Sequence, residues 1–251
     1  MSDYVYDLMK KHHSVRQFKD KALSDETVQK LVEAGQSAST SSYLQTYSII
    51  GVDDPEIKKQ LKEVSGQPYV VDNGYLFVFV LDYYRHNLIN ENVDFDMQTS
   101  FESAEGLLVG AIDVALVSEN VALAAEDMSY GIVYLGSLRN DVARVKEILD
   151  LPEYAFPLFG MAVGEPADDE NGAPKPRLPF EHVFHKNVYN SNAKEQREAI
   201  QKYDEEISEY YKERTNGKRQ ETWSQQVAGF LSGKTRLDML EELNKSGLMK
   251  K

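Results

Sequence analysis

Three polar residues spaced two apart, His12, Ser14 and Arg16, stand near the amino terminus. In an extended segment alternate side chains point to the same side, so a ring nitrogen, a hydroxyl and a guanidinium would form a row. Such a row suits a ligand that carries a phosphate at one end and a polar ring at the other. The alternative interpretation is a solvated helix end whose positive charge is favourable near the C-terminus of the helix.

Two further stretches could serve the same ligand. Lys175 and Arg177 flank Pro176, whose ring stiffens the pair. Together with His12 and Ser14, these cations could satisfy a phosphate dianion through charge-assisted hydrogen bonds. Residues 37–45 form a run rich in hydroxyls, which is either an ordinary polar loop or a loop that hydrogen-bonds a ligand.

Composition and missing motifs exclude several other classes of function. The 251 residues contain no cysteine, which excludes thiolate nucleophiles and cysteine metal sites. His182 and His185 lack a suitably placed third ligand, so metal binding is disfavoured. No GxSxG, P-loop or GxGxxG motif is present. The net charge of −13 argues against nucleic-acid binding. We expect a cytoplasmic protein, because neither a signal peptide nor a membrane-spanning apolar run is evident.

Hydrophobic periodicity predicts an α+β protein with four strands and many helices. The strand over 75–81 is apolar throughout and should be buried on both faces. The long helix over 102–128 should lie in the core, in a subunit interface, or in both. Its Asp113 and Glu119 need hydrogen-bonding partners or water. Its GxxxG, from Gly106 to Gly110, indicates close packing. The other predicted strands are 47–52, 132–136 and 156–163, and the other helices are 3–12, 24–35, 54–64, 141–149, 193–213, 220–231 and 235–246. Ser24 is predicted to cap the second of these helices, and Asp54 followed by Pro55 is predicted to start the third.

Several motifs in a fixed order resemble one known family. They are His-x-Ser-Val-Arg-x-Phe from His12, Tyr43-Leu44-Gln45, Gly66-Gln67, the run from Tyr134 to Asn140, Pro157-Leu158-Phe159-Gly160, Lys175-Pro176-Arg177-Leu178-Pro179 and Thr222-Trp223-Ser224. The chain is similar to the FMN-dependent nitroreductase superfamily over nearly its whole length. Within it, the chain most resembles the NADPH-dependent nitroreductase A and flavin reductase group.

The resemblance implies a nitroreductase-like fold with a central, mostly antiparallel sheet flanked by helices, a helical C-terminal extension and a domain-entwined homodimer. It implies a flavin-binding core over 1–165, and a phosphate-binding loop with helical extension over 166–251 that completes the same domain and the dimer. It implies bound FMN, NADPH as co-substrate, and ping-pong two-electron hydride transfer to small-molecule acceptors such as nitroaromatics, quinones or free flavins.

The resemblance also assigns roles to residues. His12, Ser14, Lys175 and Arg177 would hold the FMN phosphate, and Arg16 would approach the N1 and O2 edge of the flavin ring as the catalytic residue. Arg214 and Arg219 would bind the extra phosphate of NADPH. The remaining flavin contacts would come from His13, Gln67, Tyr69, Leu135, Gly136 and Ser137 and, across the dimer interface, from Ser39, Thr40, Ser41, Tyr43 and Gln45.

Two positions depart from the family pattern, and three alternatives stay open. His13 stands where the family often has arginine, and Ser137 replaces the second glycine of a pair. The chain could instead bind flavin without turnover, or act mainly as a flavin reductase or NADPH oxidase. The third alternative is an interaction protein that uses its polar helical tail.

Overall fold

The computed structural model describes residues 3–251, which divide into two compact units. The first unit comprises the chain up to Ala173 together with Arg236–Lys251, and the second is Pro174–Thr235. The strands are β1 (Tyr47–Val52), β2 (Tyr75–Asp82), β3 (Gly131–Leu135) and β4 (Ala155–Gly164). The helices of the first unit are α1 (Tyr4–Lys11), α2 (Asp25–Gln36), α3 (Pro55–Ser65), α4 (Tyr84–Asn90), α5 (Gln98–Phe101), α6 (Ala104–Asp127), α7 (Val142–Ile148) and α11 (Met239–Lys245).

The four strands form one sheet in the order β1-β2-β4-β3, and each neighbouring pair is antiparallel. The predicted antiparallel sheet flanked by helices is therefore confirmed. A bulge interrupts the β2–β4 register, where Phe79 pairs with Phe159 and Val80 pairs with Pro157. The residue left over is Leu158, whose carbonyl accepts a hydrogen bond from the guanidinium of Arg139.

Strand β2 is buried on both faces, as its unbroken apolar run predicts. Leu76, Val78 and Val80 pack towards α3 and α7 in one core cluster. The alternate residues Phe77, Phe79 and Leu81 pack towards α2 and α6 in the other cluster. Because successive side chains of a strand point to opposite faces, this one strand joins both hydrophobic layers of the first unit.

Helix starts follow their local sequence signals. Ser24 caps α2 by accepting a hydrogen bond from the Thr27 amide, and Asp54 caps α3 by accepting from Glu56 and Ile57. Pro55 then occupies the first turn of α3, as predicted. Helix α3 ends at Ser65, and the next residue, Gly66, adopts a left-handed conformation with φ of 70° that costs glycine little.

Helix α6 is the 24-residue core helix of the first unit. Val114, Val117 and Val121 are fully buried against the sheet and α2. By length and composition alone this helix could also span a membrane, but such burial is typical of a core helix. A Cβ atom at Gly110 would lie 2.6 Å from Leu81 Cγ, which confirms that the GxxxG serves close packing.

The structure corrects several boundaries. Helices α4 and α5 occupy a stretch for which no helix was predicted. The last helix begins at Met239 rather than at 235, because Lys234 and Arg236 have left-handed backbones that interrupt a helix. The helix predicted over 220–231 begins at Trp223, since Thr222 forms a capping box with Gln225.

The last helix of the predicted extension, α11, belongs to the first unit, and the second unit contains the other helices of that extension. Its helices are α8 (Phe180–Val183), α9 (Ala193–Arg214) and α10 (Trp223–Ser232). Tyr203, Ile207 and Tyr211 recur along one face of α9 and form a small core with Leu178 and Trp223. The Tyr203 and Trp223 rings meet edge to face at 5.7 Å between centroids.

Candidate functional site

Residues 12–16 follow α1 without regular secondary structure and are held by backbone hydrogen bonds. The Val15 amide donates to the Ile132 carbonyl of β3 at 2.9 Å, and the Val15 side chain is buried. The amides of Arg16 and Gln17 both donate to Glu170 Oε2 at 3.3 Å. The segment is therefore fixed between β3 and the loop after β4, although its side chains stay at least partly accessible on either side of Val15.

The side chains of this segment have distinct partners. His12 Nδ1 lies 2.5 Å from Glu126 Oε1 of α6, which orients the imidazole ring. The exposed guanidinium of Arg16 donates to the Ser14 carbonyl at 3.2 Å, so these two predicted site residues are adjacent. His13 donates from Nδ1 to the Lys11 carbonyl at 3.3 Å and packs beside Gly172. Its contacts connect the segment to the loop after β4.

A short 3₁₀ turn, Pro68–Val70, follows α3; it contains Tyr69, and Gln67 immediately precedes it. The Asn73 side chain donates to the carbonyls of Tyr69 and Val70 at 2.8 and 2.9 Å. Its oxygen accepts from Lys58 Nζ at 2.9 Å, and burial lowers the pKa of that lysine. Asn73 and Lys58 thus hold the turn through hydrogen bonds. Gln67 and Tyr69 are half-buried.

Gly136 and Ser137 begin a 3₁₀ turn at the end of β3, immediately after the buried Leu135. The Ser137 hydroxyl lies 2.6 Å from that of the buried Ser65, so it connects this turn to the end of α3. A Cβ atom at Gly136 would meet nothing closer than an Arg139 guanidinium nitrogen at 3.4 Å. An added methyl group would therefore be in ordinary van der Waals contact with that guanidinium.

The predicted partner-facing residues Ser39, Thr40, Ser41, Tyr43 and Gln45 form an exposed loop between α2 and β1. Among the described residues, none of its hydrogen bonds reaches the other predicted flavin contacts. They lead instead to α6 and to the start of α4. Asp113, which bonds to this loop, and Glu126, which bonds to His12, are about 20 Å apart along α6 at 1.5 Å per residue, so the loop lies away from residues 12–16 within one chain.

The second unit carries the remaining predicted cations. Arg177 donates to the Lys175 carbonyl at 2.7 Å, and Tyr203 of α9 anchors the Pro176 carbonyl at 3.0 Å. At the end of α9, Arg214 donates to the Tyr210 hydroxyl at 2.6 Å. Arg219 stacks over the Tyr211 ring at 3.9 Å and pairs with Glu221 at 2.6 Å. Each pair of cations is thus held near the surface of this unit.

Known proteins match the chain over almost all of its length. The Nitroreductase family model matches residues 9–165, and that of the Nitroreductase family, C-terminal domain, matches residues 175–251. This chain belongs to the nitroreductase family. An "NADPH-dependent oxidoreductase" of Staphylococcus epidermidis is 72% identical over 100% of both chains.

Solved structures of the family share the fold. NfrA1 of B. megaterium is 48% identical and superposes with a TM-score of 0.96 over 98% of this chain and 100% of the other. The NADPH:FMN oxidoreductase from Vibrio harveyi, complexed with NAD+, is 40% identical with a TM-score of 0.86 over 98% and 99%. These similarities identify this member of the nitroreductase family as an NAD(P)H-dependent oxidoreductase.

Several supporting residues of this nitroreductase were not singled out as site residues from the sequence. Glu126, Glu170, Ser65 and Asn73 each hold a predicted site segment, but each lies far from it along the chain or in an unremarkable motif. The sequence offered one signal of such a supporting role, namely the two acidic residues Asp113 and Glu119 in the middle of the mostly apolar helix α6. Glu119 accepts from the Tyr134 hydroxyl at 3.2 Å, which confirms the prediction that it has a partner. Burial raises the pKa of Tyr134.

Proposed function

We propose that the chain is an FMN-dependent NADPH oxidoreductase that reduces nitroaromatics, quinones or free flavins. The observation that carries this proposal is the setting of Arg16. Its segment is fixed by backbone bonds, and no carboxylate of the described residues forms an ion pair with its guanidinium. A fixed cation of this kind in a chain of net charge −13 suits an anionic cofactor.

The residues present fit FMN by their chemistry. His12, Ser14, Lys175 and Arg177 would bind the phosphate. Glu126 orients His12, and Tyr203 donates to the carbonyl of Pro176, which lies between the two cations in the chain. Gln67, Tyr69 and the backbone at 135–137 would contact the ring and ribityl chain, and His13, next to His12 in the chain, would also line the site. FMN, when bound, supplies the two-electron transfer from NADPH to the acceptor in a ping-pong sequence.

Arg16 is the residue we propose to act in catalysis. Its guanidinium would lie at the N1 and O2 edge of the ring, where negative charge develops on reduction. A positive charge that is already in place stabilises this change without reorganisation of the protein. Ser14 would help to orient it through the backbone hydrogen bond at 3.2 Å.

Arg214 and Arg219 are proposed to recognise the extra phosphate of NADPH. No described acidic side chain forms an ion pair with Arg214, whereas Arg219 is paired with Glu221. We therefore assign the direct phosphate contact to Arg214. Arg219 would first have to release Glu221 before it could bind the phosphate of the nucleotide. Because Arg219 is also stacked on Tyr211, it stays in position during that exchange.

We further propose a homodimer in which residues 39–45 complete the flavin site of the partner. Leu108, Ile112 and Leu116 form an apolar stripe on α6 and are 45–57% exposed in the single chain. An exposed stripe at intervals of four residues on a core helix is expected at a subunit interface. A cytoplasmic location accords with NADPH as the reductant.

An absorbance experiment tests the proposed function. Purified protein supplemented with FMN should show a protein-bound flavin spectrum that bleaches faster with NADPH than with NADH. A flavin-binding protein without turnover would retain its colour with either nucleotide, and an interaction protein would bind no flavin. Rates with a nitrofuran, a quinone, free FMN and oxygen would then separate a nitroreductase from a flavin reductase or NADPH oxidase.

A further inference from the structure

The loop after α2 adopts a conformation that its residues disfavour. Ser42, Tyr43 and Gln45 have φ values of 49°, 60° and 55°, in the left-handed region. All three carry a Cβ atom, and such conformations persist only where surrounding groups hold them. The Tyr43 ring is nevertheless 82% exposed, so packing of the loop tip does not supply the restraint.

Asp113 supplies the restraint on one side of the loop. Its side chain, on α6, is completely buried. Oδ1 accepts from the Ser41 amide at 2.9 Å, and Oδ2 accepts from the Thr46 amide at 3.2 Å and the Thr46 hydroxyl at 2.8 Å. A buried carboxylate requires such donors, and here they come from both ends of the loop.

Arg85 and His86 of α4 hold the carbonyl side of the same loop. Arg85 donates to the carbonyls of Gln45 and Tyr47 at 3.3 and 2.6 Å. His86 Nε2 donates to the Leu44 carbonyl at 2.9 Å, since a carbonyl can only accept. Backbone donors at both ends of the loop therefore bond to Asp113, while carbonyls in its second half bond to α4.

We infer that Asp113 is a positioning residue which, together with Arg85, sets the loop before any ligand arrives. We call residues 41–46 with these two side chains the loop clamp. A preset loop loses little conformational freedom when it meets a ligand, so its hydroxyls and the Tyr43 ring bind more tightly. This inference rests on the proposed function, in which the loop contacts the flavin of the partner subunit.

The Asp113→Asn variant tests the loop clamp. Asparagine keeps one acceptor oxygen, but its NH₂ group replaces the other. That NH₂ group would face the donors of either Ser41 or Thr46, which the carboxylate now accepts. We expect FMN to bind about tenfold more weakly, as for loss of one hydrogen bond to a charged group. We also expect chymotrypsin to cleave after Tyr43 faster than in the wild-type chain, with an unchanged circular dichroism spectrum.

Asp127→Asn is the matched control, because Asp127 is an exposed acid at the other end of α6 that accepts from the Tyr4 hydroxyl. It should leave both measurements unchanged. If Asp113→Asn does not fold, Arg85→Ala gives the same two readouts, since the Arg85 side chain is 54% exposed.

Wild-type values of FMN affinity and cleavage in both clamp variants would overturn the inference. Faster cleavage with unchanged FMN affinity would also overturn it, because the clamp would then have no effect on the site. A wild-type chain that binds no FMN would instead overturn the proposed function. The rate of cleavage after Tyr43 would still show whether Asp113 holds the loop.

Discussion

Arg16 is the residue on which the proposed chemistry depends most. Its backbone amide is tied to Glu170, so substitution of the side chain should leave the segment in place. In FMN-saturated protein, Arg16→Ala should slow flavin reduction by NADPH about tenfold or more, because one preorganised charge is lost. Arg16→Lys should retain part of the rate, since it keeps the charge but loses the planar geometry. Stopped-flow absorbance measures this step, and an unchanged rate in the alanine variant would refute the role.

The buried Tyr83 makes the free energy of unfolding depend on pH in the alkaline range. Its ring is 4% exposed and its hydroxyl donates to the Gly106 carbonyl at 2.9 Å, while burial raises its pKa to about 12. The unfolded chain therefore loses this proton first, near the ordinary value of about 10. The corresponding stability, about 3 kcal/mol, is complete below pH 10 and disappears as the pH rises towards 12.

Tyr83→Phe should reveal this contribution. At about pH 8 the variant should be about 1 kcal/mol less stable, because the Gly106 carbonyl loses its donor. By about pH 11 the difference should shrink or reverse, since phenylalanine has no proton to lose. Urea unfolding at the two pH values measures both free energies, with the exposed Tyr6→Phe as the control. A difference that does not change with pH would contradict the assignment.

At the scale of elements, the position of α6 depends on its glycines. Gly110→Ala would place a Cβ atom 2.6 Å from Leu81 Cγ on the central strand, so the helix or the strand must move. Overpacking of this kind costs about 1–3 kcal/mol of unfolding free energy.

Gly229 provides the matched control, because a Cβ atom there would meet nothing within 4 Å. Gly229→Ala in α10 should leave stability unchanged or raise it by up to about 1 kcal/mol, since alanine favours a helix. Thermal denaturation of the two variants compares them directly. Equal stability of Gly110→Ala and the wild-type chain would show that α6 is not held by this close contact.

At the scale of the whole molecule, the apolar stripe of α6 predicts the assembly. Ile112 lies at its centre and is 56% exposed in one chain. Ile112→Glu should give monomers, because an unpaired carboxylate buried in an interface costs about 3 kcal/mol or more. The same variant should also bind FMN more weakly, because residues 39–45 are proposed to complete the flavin site of the partner subunit.

Light scattering after size-exclusion chromatography measures the mass of this variant. Leu240→Glu is the control, because Leu240 is 57% exposed on α11 and lies outside the stripe. A dimeric Ile112→Glu variant that binds FMN normally would exclude the stripe as the interface. If the wild-type chain is itself monomeric, the proposed homodimer is wrong.

The sequence by itself determined the elements whose signals are local. The caps at Ser24 and Asp54 and the double burial of β2 were correct because neighbouring residues encode them. The close packing at Gly106 and Gly110 was predicted for the same reason. The motifs around Arg16 and Lys175 also identified the family, since their order along the chain is itself sequence information.

Only the tertiary structure decided which distant residues support those motifs. Asp113 meets Ser41 across 72 positions, Ser65 meets Ser137 across 72, and Glu170 meets Arg16 across 154. Helix α4, which supplies Arg85, had no recognised sequence signal. Residue types and spacing can nominate a group that binds a ligand. The residue that holds such a group in place depends on which side chains are close to it in the folded chain. A buried carboxylate or hydroxyl needs a hydrogen-bonding partner, and the fold determines which partner is near.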